Sequence, residues 1–242
     1  MHAIEVEGLT KRYGAVLAVD HITFAIEQGS ITALLGGNGA GKTTTLAMLL
    51  GLLEPTEGRI EVLGVDMIRQ RYRVLSRMNF SSPYVDMPRR LRVIENLIVY
   101  GRLYCLKGVR RRIDALGRAL DIHDFLHRPY GTLSAGQKTR VAMVKALLNE
   151  PEVLLLDEPT ASLDPDNADR IRRFLKDFQR RRGTTIVLAS HNMMEVERLC
   201  DDVIMMRSGR IVDRGTPGEL IRRYGRKTLE EVFLDIARAR ER

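Results

Sequence analysis

Ile31-Thr32-Ala33-Leu34-Leu35 runs directly into Gly36-Gly37-Asn38-Gly39-Ala40-Gly41-Lys42-Thr43, which is followed by Thr44-Thr45-Leu46-Ala47-Met48-Leu49-Leu50. A short apolar run, a glycine cluster and an apolar-rich stretch read as strand, tight loop and helix. The eight residues from Gly36 fit G-x-x-x-x-G-K-[ST] without exception. The residue types follow from the chemistry. Glycines let the backbone curl until successive N–H groups point inward at phosphate oxygens, and the helix beginning near Lys42 adds its positive dipole end. Lys42 supplies a point charge for β- and γ-phosphates, and the Thr43 hydroxyl suits a Mg²⁺ ion. Alone, the loop predicts binding of a nucleoside triphosphate.

Working outward, Ile4-Glu5-Val6-Glu7 and Val16 to Ile26 alternate as strands do. The stretch from Val93 to Asn149 turns helical. Val153-Leu154-Leu155-Leu156 is an unbroken apolar run, as expected of a parallel strand covered on both faces. Helix over Ala168–Arg181, strand over Thr184–Ala189 and an amphipathic helix over Leu229–Arg238 follow, the last with Leu229, Val232, Phe233 and Ile236 at helical spacing. At the end of the apolar run stand Asp157 and Glu158. A carboxylate there suits a Mg²⁺ ligand, and its neighbour can orient and deprotonate an attacking water.

Composition sets the outer bounds. The 242 residues are 44% hydrophobic and 29% charged, with 20 Gly and 8 Pro, which fits a globular chain and excludes a disordered or collagen-like one. The longest apolar stretch, Leu46 to Leu53, is broken by Gly51 and falls short of a bilayer span. Met1-His2-Ala3-Ile4-Glu5 carries no secretory pattern. Cys105 and Cys200 lie far apart and form no metal-ligand spacing, so a soluble cytoplasmic protein is expected. Lys and Arg number 39 against 31 Asp and Glu, a net charge of +8. The excess is spread in short clusters such as Arg69, Arg71 and Arg73. Solvated helix faces account for them, with anionic lipid headgroups or a membrane partner as the alternative. With 5% aromatics and no Trp, a nucleic-acid stacking platform is not expected.

Leu133-Ser134-Ala135-Gly136-Gln137 precedes a helical stretch, Lys138 to Leu148, about twenty residues before Asp157. Serine and small residues at a helix start make a second anion site. The pentapeptide resembles the signature of ATP-binding cassette (ABC) ATPases, with Ala135 where the family usually has glycine. Together with the phosphate loop, Leu156-Asp157-Glu158-Pro159-Thr160, Ser162-Leu163-Asp164 and Ser190-His191, the resemblance runs from about residue 4 to about 220.

That resemblance implies an α/β P-loop NTPase core with a mostly parallel sheet, an N-terminal antiparallel β subdomain and an inserted helical subdomain. The cassette would span 1–225, the insertion about 85–150, and a short helical tail 226–242. It implies ATP and Mg²⁺ as ligands. Gly36, Gly37, Asn38, Gly39, Ala40, Gly41, Lys42, Thr43 and Thr44 would hold the nucleotide, and Tyr13 would stack on adenine. Asp157 and Thr43 would bind the metal, Glu158 would be the base, and His191 the switch histidine at the γ-phosphate. Ser134, Gly136, Gln137 and Asp164 would act across a head-to-tail dimer in which two cassettes clamp two ATP. Where the family usually has a glutamine after a short strand, this chain reads Met78-Asn79-Phe80-Ser81-Ser82-Pro83-Tyr84. Ser82 is the nearest match, with Ser81 or Pro83 if the register slips. The implied protein is a peripheral ATPase on the cytoplasmic membrane face that drives separate integral-membrane permease subunits, most like ABC-2 type export ATPases. The alternative is a non-transport or regulatory ABC ATPase that uses ATP-dependent dimerisation as a switch. His123 and His127, four apart beside Asp121 and Asp124, read as solvated helix residues, and Arg140 as packing or an ion pair.

Overall fold

The computed structural model describes residues 1–83 and 85–238. In chain order the elements are β1 (His2–Tyr13), β2 (Val16–Glu27), β3 (Ile31–Leu35), α1 (Lys42–Leu49), β4 (Glu57–Val62), β5 (Val65–Asp66), β6 (Met78–Ser81), α2 (Val93–Leu103), α3 (Val109–Ala119), α4 (Ala135–Leu147), β7 (Val153–Asp157), α5 (Pro165–Arg182), β8 (Thr185–Ser190), α6 (Met193–Leu199), β9 (Asp202–Arg207), β10 (Arg210–Gly215), α7 (Pro217–Arg223) and α8 (Leu229–Arg238). They fall into two units, one of residues 1–75 with 185–242, the other of residues 76–184.

The first unit contains two sheet systems. Its antiparallel part has the order β2-β1-β4-β5. The register sets Ile4 opposite both Ile26 and Val62, and Val6 opposite both Phe24 and Ile60, so one face of the pleat is apolar across three strands. All six side chains are buried. Its parallel part sets β3 between β8 and β9, with β10 antiparallel on β9. Every residue of β3 and β8 is buried, which is why both read as continuous apolar runs.

In the second unit β6 and β7 pair in parallel, with Ser81 in register with Leu156. The helical stretch expected over 93–149 is three helices. Gly108, at φ +66°, separates α2 from α3, and a Pro129 turn precedes α4. Helix α4 begins at Ala135, three residues before the expected Lys138, because Ser134 caps it. Helix α5 begins at Pro165 rather than Ala168, with Asp164 as its cap and proline at the first helical position. It ends on arginines 180–182 and Gly183 at φ +66°, matching basic charge to the negative end of the dipole.

Candidate nucleotide site

In the first unit the phosphate loop leaves the end of β3, and His191 leaves the end of the neighbouring parallel strand β8. Leu35 and Ser190, the last residues of the two strands, stand opposite each other. Parallel register alone therefore brings His191 to the edge where the loop begins. The turn carrying it is fixed on both sides. The Ser190 hydroxyl donates to the buried Glu195 carboxylate at 2.9 Å, and the Asn192 N–H donates back to Ser190 Oγ at 3.0 Å.

The loop is held against β9 and the β9–β10 turn. A Cβ on Gly36 would lie 2.4 Å from the Met206 carbonyl oxygen, so no side chain fits there. The Gly209 N–H donates to the Ala40 carbonyl at 3.1 Å. Gly41, the cap of α1, has φ +101°, a conformation that costs an L side chain about 1–2 kcal/mol. Lys42 is buried, and its Nζ donates to the carbonyls of Gly36 at 2.6 Å and Gly37 at 3.0 Å, which compensates a charge out of water. Thr43 is exposed on the first turn of α1, whereas Thr45 is buried and donates to the Gly41 carbonyl at 2.9 Å, a purely local role. Tyr13 ends β1 half exposed, with the Lys11 ammonium 5.3 Å above its ring.

In the second unit, β6 and β7 end side by side and deliver Ser82 and Asp157 to one place. Ser82 Oγ lies 3.5 Å from Asp157 Oδ2, and both residues are buried. Of the three candidates for the glutamine position, Ser82 is the one this geometry sets beside the carboxylate. Glu158 follows at φ +48°, a left-handed conformation rare for a non-glycine residue. Ser82, Asp157 and Glu158 open on a cavity of about 390 Å³ that Ala135 and Lys138 of α4 also line. The signature serine caps α4 reciprocally. The Gln137 N–H donates to Ser134 Oγ at 3.3 Å, and the Ser134 N–H donates to Gln137 Oε1 at 3.0 Å. Ser134 and Ala135 are nevertheless exposed. A Cβ on Gly136 would stand 3.1 Å from the Ser162 carbonyl oxygen, so the signature turn lies directly on the Ser162-Leu163-Asp164 segment. Asp164 accepts from the Asn167 N–H at 3.0 Å and its side-chain amide at 2.6 Å, and these bonds hold its carboxyl below the usual carboxylate range.

Sequence reasoning missed several polar groups of this unit, some of them lining that cavity. Asp86 pairs with Arg89 at 2.8 Å and Lys138 at 3.6 Å, and burial, reinforced by Asp86, raises the Tyr130 phenol well above its usual value. Lys145 reaches from α4 to donate to the Phe80 carbonyl at 2.6 Å, and burial pushes its ammonium down to about 8. A lone aspartate and one lysine among many carry no sequence signal for either. Arg140 forms the ion pair that suffices to explain it, 2.7 Å from Asp121. His123 lies on a single 3₁₀ turn, 3.4 Å from Asp114, and shares no helix face with His127.

Against known proteins, the ABC transporter family matches residues 19–161. The chain belongs to that family. Three curated relatives are similar over most of the chain. Nod factor export ATP-binding protein I of Ralstonia nicotianae is 37% identical over 90% of this chain and 68% of its own length. ABC transporter ATP-binding protein NatA of Bacillus subtilis is 36% identical over 90% of each. Bacitracin transport ATP-binding protein BcrA of Bacillus licheniformis is 35% identical over 94% of this chain and 74% of its own length. Among solved structures, an ATP-binding subunit of an ABC transporter superposes with a TM-score of 0.89 at 28% identity, covering 97% of this chain and 99% of that one. The cbiO1 subunit from Clostridium perfringens, part of the ABC transporter complex cbiONQ, gives 0.78 at 33% identity over 92% of each chain. The ABC ATPase fold expected from sequence is the fold observed, and the chain is an ATP-binding ABC transporter subunit of the ATPase class.

Proposed function

We propose that this ABC ATPase powers an ABC-2 type exporter, working as a dimer bound at the cytoplasmic membrane face to separate integral-membrane permease subunits. Residues 1–225 form the cassette, with the helical subdomain at about 85–150. Residues 226–242 form the tail, of which 239–242 lie outside the described residues. The observation that carries the reading is the presentation of the signature. Ser134 and Ala135 stand exposed at the start of a 13-residue helix, so the cap and the positive dipole end face outward, available to a phosphate held by a second cassette. The relatives named for Nod factor export and bacitracin transport support the direction and kind of transport. Among the described residues no helix is long and apolar enough to cross a membrane.

The roles are those that the family resemblance implies, and the chemistry of each group suits them. Gly36 to Thr44 hold the triphosphate, Lys42 by its charge, and Tyr13 packs on the adenine. Glu158 takes the proton of the attacking water, and His191 contacts the γ-phosphate. Ser134, Gly136, Gln137 and Asp164 serve the facing cassette's nucleotide. Thr43, Asp157 and Ser82 offer only oxygen donors, the set a hard ion such as Mg²⁺ takes, and the buried Ser82–Asp157 pair presents two of them together. When bound, Mg²⁺ supplies positive charge that neutralises the phosphates.

Glu158→Gln tests the whole reading. It is expected to lower ATP turnover by at least ~100-fold, to keep ATP binding, and to accumulate a dimer on addition of Mg²⁺ and ATP, read by light scattering. A variant that stays monomeric and fails to co-purify with any polytopic membrane protein refutes it.

A further inference from the structure

The C-terminal helix α8 has no part in the roles above, yet one of its side chains lies on the phosphate loop. Phe233 Cζ stands 3.8 Å from where a Cβ on Gly37 would be. The ring and Ile236 line a cavity of about 290 Å³ together with the loop from Gly37 to Ala40. The loop is fixed through Gly36 at Met206 and Ala40 at Gly209, while its crown, Gly37 to Ala40, lines this cavity with Phe233 against Gly37. Helix α8 is itself anchored at both ends. The Leu229 N–H donates to Glu197, Arg226 forms a two-pronged pair with Asp235, and Arg207 of β9 donates to the Ile236 carbonyl. Leu229 and Val232 are fully buried, and the helix lies against α6 and α7.

We infer that α8 is a brace for the phosphate loop, with Phe233 as a positioning residue that sets the crown's geometry and through it the affinity for ATP. Phosphate binding here depends on where backbone N–H groups point. A crown lying over a cavity has a second arrangement within reach, and the ring excludes it. Coupling of this kind is reciprocal, so ATP in the loop tightens the docking of α8. The inference rests on the phosphate loop being the ATP site.

The test uses the full chain. Phe233→Ala is expected to raise the ATP dissociation constant by ~5–10-fold, within the ~100-fold that a displacement of about 1 Å can cost, and to leave kcat within about twofold. Amide hydrogen exchange at residues 37–40 quickens without nucleotide. In wild type, added ATP slows exchange along α8, and this response is lost in the variant. Phe233→Leu, which keeps an apolar contact and guards against misfolding, gives intermediate values. Val232→Ala removes a fully buried contact of α8 that does not line the cavity at the loop, lowers thermal stability, and weakens ATP affinity by clearly less than Phe233→Ala. Wild-type affinity and exchange at 37–40 in both Phe233 variants overturn the brace, as does an affinity loss in Val232→Ala equal to that in Phe233→Ala. Lys42→Ala separates the two layers. If it abolishes ATP binding while the Phe233 variants bind normally, the brace alone fails. If it binds ATP as wild type does, the loop assignment fails and the brace with it.

Discussion

Adding one carbon at Gly36 and one at Gly37 should have very different consequences, although the two positions are adjacent in the same loop. At Gly36 the new Cβ would lie 2.4 Å from the Met206 carbonyl oxygen and 2.8 Å from Ala40 Cβ, short of ordinary contact at 3.4 Å by about 1 Å on the oxygen side. Neither obstacle is the far end of a flexible side chain. The carbonyl belongs to β9, which is paired to β3 and β10, so the loop must move instead. Overpacking of this kind costs about 1–3 kcal/mol, a fall in Tm of roughly 2–12 °C for a chain of this size. A phosphate site displaced by about 1 Å loses up to ~100-fold in kcat/KM. At Gly37 the nearest atom is Phe233 Cζ at 3.8 Å, an ordinary van der Waals contact. There Tm should change by no more than about 2 °C and kcat/KM by no more than about threefold, the range of an unobstructed substitution. Thermal melts and steady-state ATPase rates on Gly36→Ala and Gly37→Ala, purified in parallel, decide the matter. Equal behaviour of the two variants, whether both harmless or both severe, refutes the claim that contact with β9 fixes the loop.

Two further expectations concern the second unit. The folded pKa of Lys145, about 8, lies below its ordinary value of 10.5, so the unfolded chain binds more protons between those limits and stability should rise with pH across that window. The cost is present below pH 8, and Lys145→Met should flatten the alkaline rise in Tm; an unchanged slope in the variant would assign the rise to another group. Ser82→Ala removes a contact at 3.5 Å, the outer limit of a hydrogen bond, so the Mg²⁺ concentration for half-maximal turnover should rise only ~2–5-fold. No change in that concentration or in permease-stimulated turnover leaves Ser82 without a metal role.

What the sequence revealed and what it hid follow one physical division. Strands buried on both faces, β3, β7 and β8, announce themselves as apolar runs, and α8 has the bounds its periodicity predicts, Leu229–Arg238. The hairpins β4–β5 and β9–β10 escaped notice because charged residues punctuate them and their turns are unusual. Leu63 and Gly64 turn the first at φ +51° and +71°, and Ser208 and Gly209 the second at +48° and +80°. Such turns favour Asn-Gly or Asp-Gly, so a leucine in the first position conceals one of them. Motif residues were legible one by one. The neighbours that position them, Met206 behind Gly36 and Phe233 against Gly37, were not, because each contact joins residues far apart in the chain through shape rather than residue type.

Burial separates the two departures from the family pattern. Ala135 stands where glycine is usual, but it is exposed at the first position of α4, where an added methyl meets no obstacle and alanine is the best helix former. Its neighbour Gly136 has no such latitude, with a backbone oxygen 3.1 Å from its would-be Cβ, so the signature could change at one glycine and not at the next. Ser82 is the opposite case. It is buried against Asp157, so exchanging a long amide for a short hydroxyl alters what the carboxylate proposed to bind the metal meets. Ser82 Oγ reaches Asp157 Oδ2 directly, but only at 3.5 Å, the outer limit of a hydrogen bond. The structural consequence of this chain's divergence is therefore concentrated at Ser82, and under the proposed roles a change there acts on the metal side of the site rather than on the signature.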